Sequence, residues 1–128
     1  MNRKELKKYI AEVYNTEPEY LWIKHPNYEL FRHSDNRKWF AVIMELSKAK
    51  LGLNEEGMID NVNLKCDPIL IGSLRLEPGF FPAYGMSKTN WITVALDESA
   101  SSDKIKMLLD MSFQITSVKA KKDKSKSY

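Results

Sequence analysis

The sequence predicts an α+β domain, a mostly antiparallel sheet with helices gathered on one side. Three observations carry this. Helical periodicity occupies the two ends and one short central stretch, while the runs between them alternate with period two. The resulting order, one helix, three strands, a helix, a strand and a helix, favours hairpin pairing over βαβ crossovers. The chain has 128 residues, 43% of them hydrophobic, enough for one domain with its own core and no covalent staples.

The elements follow in order. Arg3 to Tyr14 places Leu6, Ile10, Val13 and Tyr14 on one helical face, with Arg3, Lys4, Lys7, Lys8 and Glu12 on the wet side. Asn15, Thr16 and Pro18 end that helix. Tyr28 to Arg32 and Trp39 to Leu46 read as two strands of a hairpin turning through Ser34-Asp35-Asn36. Residues 47 to 57, with two glycines and mixed charge, form an irregular connection. A third strand runs from Ile59 to Lys65, with Val62 and Leu64 facing inward and Asn61, Asn63 and Lys65 assigned to a wet face. Asp67-Pro68 starts a short helix, Ile69 to Leu76, because Asp caps free N–H groups and Pro is tolerated at the first helical position. Pro78-Gly79 stops it. Trp91 to Leu96 is the fourth strand, and a helix capped by Ser101 or Ser102 buries Ile105, Leu108, Leu109, Ser112 and Phe113.

Between these last strands and helices, Phe80 to Asn90 is too aromatic for a solvated loop. Pro82 and Gly85 forbid a regular helix or a central strand through it. It is expected to fix a loop against the core.

The formal charge of +3 is unevenly placed. The segment 119–128 holds five lysines and one aspartate; without it 15 basic and 16 acidic residues remain, a body of charge −1. The boundaries expected are a folded domain over 1–118 and a Lys-rich disordered tail over 119–128. A near-neutral body argues against a whole-domain electrostatic attraction to DNA, but charge can still segregate by face. One cysteine, Cys66, allows no internal disulfide, and no apolar run approaches the roughly 20 residues of a bilayer span. The expectation is a reduced, cytoplasmic protein with no membrane partner.

Several short motifs occur in order: Tyr20-Leu21-Trp22, Pro26-Asn27-Tyr28, Phe31-Arg32-His33, Lys38-Trp39-Phe40-Ala41, Leu51-Gly52-Leu53 and Asn63-Leu64-Lys65-Cys66-Asp67-Pro68. They continue with Pro82-Ala83-Tyr84, Met86, Lys88, Trp91-Ile92, and Leu108, Leu109, Ser112 and Phe113. Over about Arg3 to Val118 the chain thereby resembles the MmcQ/YjbR family of small bacterial proteins. That resemblance implies a CyaY-like fold, also described as a double-wing DNA-binding motif. It carries the label of predicted DNA binding, which rests on fold analogy. Where the family often has His, Asn and His around the Lys88 motif, this chain has Gly85, Ser87 and Asn90. Imidazole chemistry at those positions is therefore missing here.

Each candidate site has a structural alternative. Lys88 beside Tyr84 and Trp91 has the composition of a phosphate contact next to stacking faces; the alternative is two core aromatics and a solvated lysine. Lys65, on the strand face assigned to Asn61 and Asn63, extends a polar row toward phosphates or sugars, although any half-exposed strand shows such a row. Arg32, Arg37 and Lys38, with His33 between them and Lys24 and His25 upstream, suit a basic hairpin wing. They equally suit an edge protected by charge. The Lys tail can bind nucleic acid without specificity or serve solubility alone.

Enzyme readings have little to stand on. His25 and His33 lack metal-ligand spacing, no serine elbow is present, and Cys66 falls on the buried face of its strand. The CyaY-like likeness suggests iron, but the basic residues of the first helix would repel a cation. No cofactor is expected. The reading is a non-catalytic protein binding DNA weakly and largely without sequence preference through the hairpin and loop. The alternative is a protein-interaction module using the sheet face or the Phe80–Asn90 loop.

Overall fold

Helix α1 (Arg3–Tyr14) begins with a reciprocal cap: Asn2 Oδ1 accepts from the Glu5 amide and Glu5 Oε1 accepts from the Asn2 amide, both at 2.9 Å. This satisfies donors that the first helical turn leaves free. Asn15, in the left-handed region at φ 49°, ends it. In the computed structural model, which describes residues 1–118, three helices and five strands follow from caps and patterning of this kind. The Lys-rich segment 119–128 lies outside the described residues.

Strands β1 (Glu29–Arg32), β2 (Trp39–Ser47) and β3 (Met58–Lys65) form an antiparallel meander, with a 3₁₀ turn (Lys48–Leu51) after β2. Helix α2 (Pro68–Leu74) starts where expected, Asp67 Oδ1 accepting from the Ile69 amide at 3.0 Å. It ends two residues earlier than the sequence reading. Strand β4 (Phe80–Pro82), absent from that reading, pairs with β5 (Trp91–Ala95). Pro82 is compatible with β4 because β4 is an edge. Helix α3 (Ser102–Ile115) is capped by Ser101, whose Oγ accepts from the Lys104 amide. The sheet order is β1-β2-β3-β5-β4, antiparallel throughout.

The helices all pack on one face. Leu6 and Ile10 of α1, Ile71 and Leu74 of α2, and Ile105, Leu108 and Leu109 of α3 meet Phe31, Ile43, Leu64, Ile92 and Val94 of the sheet. Each such aliphatic side chain contributes about 1.5–3 kcal/mol by leaving water. Val13, expected in this stripe, is 52% exposed instead. At the end of α1 it is Tyr14 that packs inward, against Phe40 and Phe113.

Loops cover the other face. Leu30, Val42, Met44, Leu46 and Ala95 lie under Tyr28, Leu51, Trp22, Tyr84 and Met86. The wet face expected for Asn61 and Asn63 is therefore wrong: both are buried, at 0% and 1% exposure. Asn63 is satisfied by the covering loop, donating to the Tyr84 carbonyl at 2.9 Å and accepting from the Thr93 hydroxyl. Asn61 donates to the Ile59 carbonyl at 3.3 Å, and its Oδ1 is buried without a partner.

Gly79 is the glycine the packing requires. Its φ is +87°, and a Cβ there would stand 2.5 Å from Ser99 Oγ and 3.0 Å from the Ala100 amide. Bare backbone at this point lets its carbonyl accept from the Ala95 amide at 2.8 Å as the chain enters β4.

Candidate nucleic-acid interface

On the loop-covered face, β2 carries an extra residue. Phe31 pairs with Ala41, but Arg32 pairs with Trp39, leaving Phe40 as a bulge. A bulge bends a strand and re-aims its side chains. Trp39 consequently packs with the loop-side cluster while Phe40 joins the helix side. Trp22 lies edge-on to both Trp39 and Tyr28, with centroids 5.6 Å apart in each case.

Three neighbouring hollows result. The central one, about 110 Å³, is walled by Trp22, Tyr28, Trp39, Met44, Tyr84 and Met86 with Asn63 in its lining. Trp39 also walls a second of about 340 Å³ that includes Lys38, Lys65, Trp91 and Thr116. Tyr84 also walls a third of about 260 Å³ that includes Lys50 and Lys88. Among the described residues that line the three, there are four lysines and no aspartate or glutamate.

Two of the four lysines are held against aromatic faces. Lys65 Nζ lies 5.6 Å from the Trp91 ring centroid and Lys50 Nζ 5.7 Å from that of Tyr84, within cation–π range. Lys88 Nζ donates to the Ala83 carbonyl at 3.0 Å. The loop bearing Tyr84 is fixed from beneath, its amide donating to Thr93 Oγ1 at 3.0 Å. Burial, with Tyr84 adding to it, pushes the Tyr28 hydroxyl above the ordinary phenol range, so that ring is neutral.

The fold thus brings Lys38, Lys65 and Trp91 to one hollow and Tyr84 and Lys88 to another, with the central hollow between them. It does not bring Lys24, Arg32 and Arg37 to them. Lys24 is exposed in the turn after Trp22, outside the walls of the groove. Arg32 is engaged by Glu19 through two hydrogen bonds of 2.7 and 2.8 Å, and Arg37 reaches the same carboxylate at 3.5 Å. The Arg32 guanidinium holds Glu19 below the usual carboxylate range. The hairpin is also tied down: His33 Nε2 lies 2.9 Å from Thr116 Oγ1, and the Asn36 side chain donates to the Thr116 carbonyl at 2.8 Å. That geometry belongs to a packed hairpin rather than a projecting wing.

Sequence reasoning did not assign Trp22, Trp39 or Lys50 to a site, and placed Asn63 in an exposed polar row rather than in the lining of a hollow. The two tryptophans stand within the motifs that carry the family likeness, which was the available signal. Lys50 gave none, since only the turn after β2 brings it over Tyr84.

Cys66 is buried, and burial pushes its thiol up, away from the reactive thiolate. Among the described residues no three His, Cys, Asp or Glu side chains are grouped as metal ligands, and no helix is long and apolar enough to cross a membrane.

A family model described as YjbR matches residues 11–115. The chain belongs to the YjbR family. A relative in Bacillus subtilis, described as uncharacterized protein YyaQ, is 39% identical over 116 residues, covering 91% of this chain and 98% of its own. A YjbR-like fold is also present in a Pseudomonas syringae protein solved by crystallography, at 44% identity with a TM-score of 0.90 over 91% of this chain and all of that one. The solution structure of a Pseudomonas syringae protein, also 44% identical, gives 0.83 over 91% of this chain and 94% of that one. A Deinococcus radiodurans protein at 18% identity shares the fold alone, with a TM-score of 0.66 over 89% of this chain and 77% of that one.

Proposed function

We propose that this YjbR-family chain is a non-catalytic protein that binds single-stranded DNA weakly and without marked sequence preference, along the groove walled by Trp39, Tyr84, Trp91 and the four lysines. The observation that carries the reading is that lysines supply all the charge in the lining of these three hollows, where aromatic side chains stand beside them. Lysine neutralises phosphate, and an aromatic ring accepts the face of any base, which is the combination used by sequence-tolerant single-strand binders. Duplex DNA hides its base faces, so the groove favours a single strand. The hairpin arginines, paired with Glu19, are not part of this reading.

Fluorescence polarisation of a labelled oligothymidine at two salt concentrations tests it, comparing the full chain with one ending at Val118. Binding that survives truncation, weakens with salt and falls in Lys38→Gln and Lys65→Gln supports the groove. Binding that vanishes with the truncation, or is insensitive to both substitutions, overturns it.

One observation favours a second reading, a protein partner. Tyr20, Leu21 and Ile23 are 59%, 49% and 98% exposed in a single run beside Trp22. A photoreactive group at position 23 that crosslinks one discrete protein in cell extract, insensitively to nuclease, would support it; only nuclease-sensitive products would count against it.

A further inference from the structure

Resting on that reading, we infer that the hollow shared by Lys38, Trp39, Lys65 and Trp91 seats the phosphorylated end of a strand, its phosphomonoester between the two lysines and its last base against an indole.

The hollow stands where the strands stop. Trp39 is the first residue of β2, Lys65 the last of β3 and Trp91 the first of β5, so it lies at one margin of the sheet. The end of α3 supplies the remaining wall through Ile115 and Thr116. That wall is pinned. The Asn36 side chain donates to the Thr116 carbonyl at 2.8 Å and accepts from the Lys38 amide at 2.9 Å, and His33 Nε2 lies 2.9 Å from Thr116 Oγ1. Asn36 thereby occupies a helix-end carbonyl that would otherwise repel an anion, and it fixes the backbone that carries Lys38.

Size and charge name the ligand. At about 340 Å³ the hollow falls in the range of small-molecule sites, about 300–1,000 Å³, with room for one nucleotide whichever base it carries. Its lining has two lysines and no carboxylate. That pair matches a phosphomonoester, with a charge of about −1.5 to −2 at neutral pH, better than an internal phosphodiester with its single charge. Lys65 Nζ, 5.6 Å from the Trp91 ring centroid, sets a phosphate contact beside a stacking face. The hollow of Lys50 and Lys88 is less suited: it is smaller, about 260 Å³, and Lys88 there donates to the Ala83 carbonyl. Selection is thus for a strand end and not for a base, in keeping with sequence-tolerant binding.

The test is competition against a labelled oligothymidine bound to the full chain. The competitors are oligothymidines with a 5′-phosphate, a 3′-phosphate or hydroxyls at both ends. A fourth, hydroxyl-ended and one nucleotide longer, adds one charge without a phosphomonoester. Phosphate at one end or the other is expected to improve competition about fivefold over both hydroxyl-ended oligomers, the worth of one added ion pair, and equally when the terminal base is adenine. The gain should disappear in Lys38→Gln and in Lys65→Gln, and persist in Lys88→Gln whatever that variant's affinity. Equal competition by all four, a gain confined to one terminal base, or a gain that either hollow substitution leaves intact overturns the seat. Thymidine 5′-monophosphate competing as well as the phosphorylated strand overturns it too. If hydroxyl-ended strands still bind in those cases, the groove reading stands; if no oligomer binds, both fall.

Discussion

The hydroxyl of Ser112 accepts a hydrogen bond from the backbone amide of Lys65 at 2.9 Å and donates its own to the Phe40 carbonyl at 2.5 Å. The paired register of β2 and β3 runs only as far as Ala41 opposite Leu64. One step on, beyond that register, a serine from α3 bridges the Lys65 amide and the Phe40 carbonyl. The bridge thus joins the neighbour of Trp39 to Lys65, and both Trp39 and Lys65 line the hollow that also contains Lys38 and Trp91.

Ser112→Ala is expected to leave a buried carbonyl and an amide unpaired together, costing about 2–4 kcal/mol. Urea denaturation should show a lower midpoint at unchanged slope. A loss too small to resolve would mean that water or a strand shift replaces the hydroxyl.

Lys65→Gln keeps the stem of the side chain on Trp91 and removes its charge. Single-strand affinity should fall, and the slope of log K against log salt should become shallower by about 0.7, the value for one phosphate that is no longer neutralised. An unchanged slope with lower affinity would make Lys65 a packing residue only.

Arg32→Gln gives the opposite outcome. Its guanidinium already satisfies Glu19, so polarisation titrations should return the parent affinity and the parent salt slope. A drop comparable to that of Lys65→Gln would restore the hairpin as part of the interface.

Acid should destabilise the fold, beginning with His33. Burial lowers its pKa below the ordinary 6.5, outweighing the attraction of Asp35. The unfolded chain therefore takes up the proton first as pH falls, so stability is greatest above 6.5 and declines below it toward the folded-state value. Glu29 adds a later fall. Its burial would raise its pKa, but hydrogen bonds from Lys7, Tyr20 and Arg3 win and hold it below the ordinary 4.5, so its contribution is lost as pH drops through the carboxylate range. Denaturation midpoints measured from pH 8 to pH 5 should slope downward, and His33→Phe should flatten that slope.

Much of the fold was legible because it is local. The caps at Asp67 and Ser101, the first hairpin and the stripe on α3 depend on neighbours within one or two turns of chain. Strand β4 was not legible: three residues ending in proline carry no alternation, and their partner lies across the Tyr84 loop. The Asn61 and Asn63 face was misread because alternation reports polarity rather than exposure, and loops cover what the pattern assigned to water. The site was legible in part. Tyr84, Lys88 and Trp91 are close in sequence, and β3 beside β5 brings in Lys65. What silences Arg32 is Glu19, thirteen residues upstream, brought alongside β1 by the bridge between Glu19 and Leu30.

That bridge has a consequence of its own. Along the outer margin of β1, the Leu30 amide and carbonyl are already taken by Glu19, at 2.9 and 2.8 Å. The opposite margin, β4, is three residues long and ends in a proline that has no N–H to offer. A sheet finished in this way at both rims gives little for another chain's backbone to lengthen. Pairing of copies of this protein through these two rims is therefore disfavoured, which leaves side chains as the means of contact there.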